Sequence, residues 1–87
     1  MKIYEDCEDI EEETGTWLVL YDFKGIKPNS KFWDNLGRIK SLAGSGSLIQ
    51  YSVFMSNSKR GAVMAMKIAH HYGAERIMYR VEKVEEV

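Results

Sequence analysis

Among the side chains able to do chemistry, Asp22 stands apart. It closes the apolar run Trp17–Tyr21 within the stretch Trp17–Gly25, WLVLYDFKG. An aspartate at that place has two uses. It can open a turn by accepting a hydrogen bond from the backbone just after it. It can also offer oxygen to a hard cation such as Mg²⁺. One carboxylate per chain is a thin donor set, and no second acid lies nearby in sequence. A two-fold dimer would double it, and two close carboxylates repel unless a proton or a cation sits between them. A divalent ion held there can activate water and stabilise the oxyanion of phosphoryl chemistry.

The other chemical side chains have simpler readings. His70 and His71 are neighbours, about 100° apart on a helix, whereas helical zinc sites space their ligands at i and i+4. In a last turn, their partial positive charge suits the helix dipole. The stretch Ala43–Ser47, AGSGS, follows a helix and lacks the Gly-Lys-Ser/Thr ending of a phosphate loop, so it reads as a flexible connection. Lys59 and Arg60 open a helix, a place that favours phosphate. Met64, Met66 and Met78 read as core filler. Cys7 has no partner for a disulfide, and its acidic neighbours should raise its pKa and quiet it as a nucleophile.

Eighty-seven residues make one domain. The net charge of −1 hides an asymmetry. Residues 1–13 carry seven acids against Lys2 alone, while the remaining chain carries eleven Lys and Arg against six acids. Residues 1–15 are therefore expected as a solvated acidic tail, joined to a basic domain over residues 16–87 that can meet phosphate. No apolar run approaches the roughly twenty residues of a membrane span, and the start of the chain lacks the apolar core of a signal peptide. With a single cysteine, a cytoplasmic setting is expected.

The elements that must carry these groups follow from periodicity. A short strand is expected over Met1–Tyr4. Thr16–Phe23 reads as a strand with Trp17, Val19 and Tyr21 on one face and Leu18, Leu20 and Asp22 on the other, both faces covered. After a loop with Gly25 and Pro28, a helix runs over Lys31–Leu42, capped by Asn29 or Ser30 and ended by Gly44. Ser47–Ser56 is strand, bent into two at most. Ile49, Tyr51, Val53 and Met55 form its apolar face. Gln50, Ser52, Phe54 and Ser56 form its mixed one. A second helix runs over Lys59–Tyr72, capped by Asn57 or Ser58 and ended by Gly73. Arg76–Val81 is the last strand, with residues 83–87 extending it. This order implies an α+β fold: a ferredoxin-like βαββαβ sandwich, an antiparallel sheet with two helices on one face. Leu18, Leu20 and Phe54 would then face water, and a homodimer through the sheet face is the simplest cover.

Two stretches, LVLYDF over Leu18–Phe23 and IQYSVFMS over Ile49–Ser56, resemble CRISPR-associated protein 2, the small partner of the spacer integrase. The pentapeptide Gln50–Phe54 is the more specific part, and its spacing from Asp22 across one helix fits. The resemblance covers roughly residues 16–81. It implies a homodimer that acts as a metal-dependent endonuclease on RNA or duplex DNA, or bridges the spacer integrase subunits. It also implies Asp22 as catalytic residue and Mg²⁺ ligand, flanked by Tyr21, Gln50, Ser52 and Phe54. Where members carry a run of arginines, this chain has Lys24, Lys27 and Lys31. Together with Lys59 and Arg60 these would hold backbone phosphates, giving salt-sensitive binding with little sequence preference. The alternatives are a non-catalytic scaffold between larger subunits, a related toxin-type ribonuclease, and a ligand-binding regulatory domain, which would need a pocket of convergent polar groups.

Overall fold

Alternation along one strand organises the molecule. In β1 (Thr16–Asp22), Trp17, Val19 and Tyr21 are buried while Leu18 and Leu20 are only half-buried. The computed structural model describes residues 2–13 and 15–82. Along the chain, β1 is preceded by α1 (Lys2–Asp6) and followed by α2 (Ser30–Ala43), β2 (Ser47–Gln50), β3 (Val53–Ser56), α3 (Lys59–His71) and β4 (Glu75–Val81). The strands form one four-stranded antiparallel sheet in the order β2-β3-β1-β4. This is an α+β fold, compatible with the ferredoxin-like class. Among the described residues no helix is long and apolar enough to cross a membrane. The expected extension of the last strand over residues 83–87 lies outside the described residues.

The helix limits follow the capping residues. The Asn29 side chain accepts the Lys31 N–H at 2.9 Å, and α2 stops where Gly44 turns left-handed at φ 81°. Ser58 Oγ accepts the Gly61 N–H at 3.0 Å at the start of α3. Phe32, Leu36 and Ile39 of α2 and Ala62, Met64, Ala65, Ile68 and Ala69 of α3 form the buried stripes of the two helices. The two helices run antiparallel. Phe32 near the start of α2 meets Tyr72 just beyond α3, with ring centroids 6.0 Å apart. At the other end, a Cβ on Gly61 would lie 3.2 Å from the Ala43 Cβ and 2.8 Å from Ser56 Oγ, so only glycine admits this close approach.

Three expectations are corrected. First, Ser47–Ser56 is a hairpin, with Gln50 paired to Val53 across the turn Tyr51–Ser52. Its faces are the reverse of those expected. Phe54 is 2% exposed beneath the helices, and Val53 and Met55 lie on the open face beside Leu20 and Leu18. Apolar count misleads here because both faces are rich in apolar groups, while Ser56 is satisfied inside: its Oγ donates to the Ser45 carbonyl and accepts the Ser58 N–H. Second, the connection before β2 is pinned rather than flexible. A Cβ on Gly46 would come within 2.6 Å of the Phe54 ring, and Ser45 Oγ accepts the Asn57 N–H at 2.9 Å.

Third, the acidic N-terminal segment is not a solvated tail. Residues 2–6 form a helix, not a strand, and Cys7 is fully buried in the core. Burial itself, more than acidic neighbours, raises the Cys7 pKa. Tyr4 Oη donates to the Asn35 carbonyl and side-chain oxygens at 2.9 and 2.8 Å. Asn35 in turn donates to the Lys31 carbonyl and to Tyr72 Oη. One nearly buried amide thus ties the N-terminal segment to both large helices. Asn35→Ala leaves these partners unsatisfied and should lower stability by about 2 kcal/mol in urea unfolding. A change within error would mean that water replaces the amide without loss.

Candidate functional site

Asp22 ends β1 at the rim of the open face and is well exposed. Its Oδ1 accepts the Lys24 N–H at 2.7 Å, so the carboxylate does shape the turn. Lys24 adopts φ +56° and Gly25 φ +80°, and the chain reverses there. The antiparallel register sets Glu75 of β4 directly opposite Asp22. Two like charges facing each other repel. Lys24 relieves this: its Nζ lies 3.1 Å from Glu75 Oε2 and 3.7 Å from Asp22 Oδ2. Glu75, by hydrogen bond and charge, and then Asp22 hold the Lys24 ammonium above the usual lysine value. Sequence reasoning missed Glu75 because only strand pairing, with no local signal, brings it to Asp22.

Two open clefts meet at Asp22. One, of about 450 Å³, runs over the sheet rim past Leu20, Ser52, Glu75, Arg76 and Ile77. The other, of about 400 Å³, lies under the loop, between Phe23, Ile26, Lys27, Trp33 and Tyr51. Tyr21 and Ser52 line both. Tyr21 is buried, with its ring edge-on to Phe32 at 5.1 Å. Its Oη donates to the Tyr51 carbonyl at 2.8 Å, and its N–H to the Ser52 carbonyl at 3.1 Å. Burial first, and then Tyr51, push the Tyr21 pKa up to about 12. Gln50 is exposed in β2 and lines neither cleft. Phe54, expected to flank the site, sits on the opposite side of the sheet from Asp22, beneath the helices.

The expected phosphate-binding residues divide between two ends. Lys24, Lys27 and Lys31 cluster on the loop beside Asp22 and the first turn of α2. Lys59 and Arg60 begin α3, beside the far end of α2, and α2 is about 21 Å long at 1.5 Å per residue. They are also engaged. Lys59 Nζ pairs with Glu13 at 3.1 Å. The Glu12 carboxylate accepts Ser58 Oγ–H at 2.7 Å and the Arg60 N–H at 3.1 Å, so a carboxylate already satisfies the helix start.

His70 and His71 are exposed in the last turn of α3. Among the described residues no group of three or more His, Cys, Asp or Glu could hold a metal ion. In a single chain the donors at Asp22 are two carboxylates already bridged by an ammonium, which does not fit a metal. Comparison with protein-family models, curated proteins and solved structures returned no match.

Burial works to raise the Glu12 pKa, but the hydrogen bonds from Ser58, Arg60 and Lys59 outweigh it and hold the carboxyl below its usual value. A depressed folded-state pKa stabilises above the unfolded value and is lost as pH falls through the folded one. Glu12→Gln should therefore be less stable than the parent by about 0.5 kcal/mol at neutral pH. The two should converge in acid, once the pH has fallen below the lowered folded-state value and the parent carboxyl is protonated in both states. Urea unfolding across that range checks it, and a gap that persists in acid would assign the effect to packing.

Proposed function

We propose that this protein is a nucleic-acid-binding homodimer of the CRISPR-associated protein 2 kind. It would be built as a ferredoxin-like βαββαβ sandwich whose copies meet through the open sheet face. The strand order and the two helices packed on one face support that fold reading. The observation that carries the functional reading is an uncovered apolar sheet face ending at a carboxylate and a lysine-bearing loop. Leu18, Leu20, Val53, Met55, Ile77 and Tyr79 stand on that face in register, with Ile77 and Tyr79 about half exposed. Apolar area returns about 25 cal/mol per Å² when covered, and a second copy offers a matching surface. With the two-fold axis near β1, Asp22 of each copy approaches the other, and the Lys24–Lys27–Lys31 loops flank the pair.

Phosphate contact on this reading falls mainly to Lys27 and Lys31 at that loop end, because Glu12 and Glu13 occupy the start of α3 while Asp22 and Glu75 hold Lys24. Lysines bind phosphate as point charges rather than through the arginine fork. That suits backbone recognition on RNA or duplex DNA and a bridging role between integrase subunits.

A second reading, Mg²⁺-dependent cleavage, is favoured by Glu75 opposite Asp22. Dimerisation would gather four carboxylates around one axis, a set that calls for a cation. Asp22 and Glu75 would hold the ion once Lys24 turns to phosphate. When bound, the ion would supply Lewis-acid activation of water and of a phosphate oxygen.

Sedimentation should give a dimer at micromolar concentration, and Leu20→Glu should give a folded monomer. A monomeric parent would overturn the assembly. Labelled RNA and duplex DNA should both be bound, losing affinity at least tenfold between about 50 and 200 mM salt. Asp22→Asn should abolish Mg²⁺-stimulated cleavage while dimer and binding persist. Undiminished cleavage by that variant would remove Asp22 from the chemistry, and no cleavage by the parent would leave the bridging role.

A further inference from the structure

The cleft beneath the loop carries aromatic rings as well as charge. Tyr51 stands at the tip of the β2–β3 turn with 74% of its surface exposed, and Ile26 across the cleft is 72% exposed. The Tyr51 ring lies 5.1 Å from that of Trp33, tilted by 51°. Trp33 is itself held, edge-on to Phe32 at 4.9 Å and to Tyr21 at 6.3 Å. The Tyr51 backbone is fixed by the hydroxyl of Tyr21. The Tyr51 carbonyl is thus held in place while its side chain is open to water. Nothing in the core needs Tyr51 there, and hairpin turns are normally filled by Gly, Asn or Asp.

We infer that Tyr51 and Trp33 form a stacking step for one unpaired base of a single-stranded nucleic acid. The occupant follows from what surrounds the rings. Lys27 lines the same cleft, and Lys31 follows it in the first turn of α2. Aromatic faces interleaved with basic side chains suit a strand whose bases stack while its phosphates meet ammonium groups. An acidic or purely apolar partner would use only half of this surface. At about 400 Å³, the cleft falls in the range of small-ligand sites. Asp22 also lines this cleft. A duplex keeps its bases paired and can offer only phosphates here. The inference rests on the phosphate-binding reading and adds a preference for unpaired strands. The shared chemistry is an unpaired base between phosphates, carried by RNA or by DNA.

The test uses the full chain with three probes: an octamer of uridine, an octamer of deoxythymidine and a sixteen-base-pair duplex. Binding is followed by anisotropy and by Trp33 emission, with Trp33→Phe separating its signal from that of the buried Trp17. Tyr51→Ala should weaken one or both single strands by at least about fivefold and leave the duplex unchanged. Tyr51→Phe should bind like the parent, because the ring and not the hydroxyl is used. The arm that responds names RNA, DNA or both as the source. Tyr51 is exposed, so an unchanged thermal midpoint is expected and confirms that the variant folds. Single-strand affinity unmoved by Tyr51→Ala overturns the stacking step and leaves backbone binding standing. Failure of the parent to bind any probe overturns both. A shift in oligomeric state on Tyr51→Ala assigns the rings to a subunit contact and overturns the inference.

Discussion

The hydroxyl of Tyr21 fastens the central strand to the β2–β3 turn. Its ring is buried among Phe23, Phe32 and Trp33, and its Oη reaches the carbonyl of Tyr51. That bond ties the central strand to the hairpin turn at the place where Asp22 leaves the sheet. A phenol held this way stays protonated far into alkali, because burial opposes its charge. Tyr21 lines both clefts, and its N–H holds the Ser52 carbonyl. The carboxylate beyond it is free of the core, with its side chain well exposed. A rigid inner residue followed by a wet outer one is a common way to aim a charged group from a fixed frame.

Charge is distributed by end rather than by halves of the chain. The acidic segment folds back on α3 and gives Glu12 and Glu13 to the basic start of that helix. This leaves the other end, with Lys24, Lys27 and Lys31, as the basic surface beside Asp22. Lys24 is the hinge of that surface, since it bridges Asp22 and Glu75 and is the nearest cation to both. The same ammonium offsets the repulsion between the two facing carboxylates.

Much of the architecture was legible. Asn29, Gly44, Ser58 and Gly73 bracket the two large helices because capping is a local requirement of the backbone. The strand over residues 16–22 was legible because its apolar run is unbroken and has the length of a strand. Phe54 was misplaced because alternation has two phases, and a buried serine with good partners reversed the apparent one. The N-terminal segment was misjudged because its charges were counted while Tyr4, Cys7 and Ile10, which fasten it, were given little weight. At the site, Asp22, its turn and the adjacent lysines could be read directly, and Glu75 could not.

By itself, then, the sequence determined the helix limits, the central strand and the carboxylate that ends it. Each depends on neighbours within a few residues, where spacing and backbone chemistry act alone. The tertiary structure decided which sheet face the helices cover, where the acidic segment lies, and that Glu75 and Tyr51 stand beside Asp22. Those outcomes depend on contacts between residues far apart in the chain, and their register is set by packing the whole core at once.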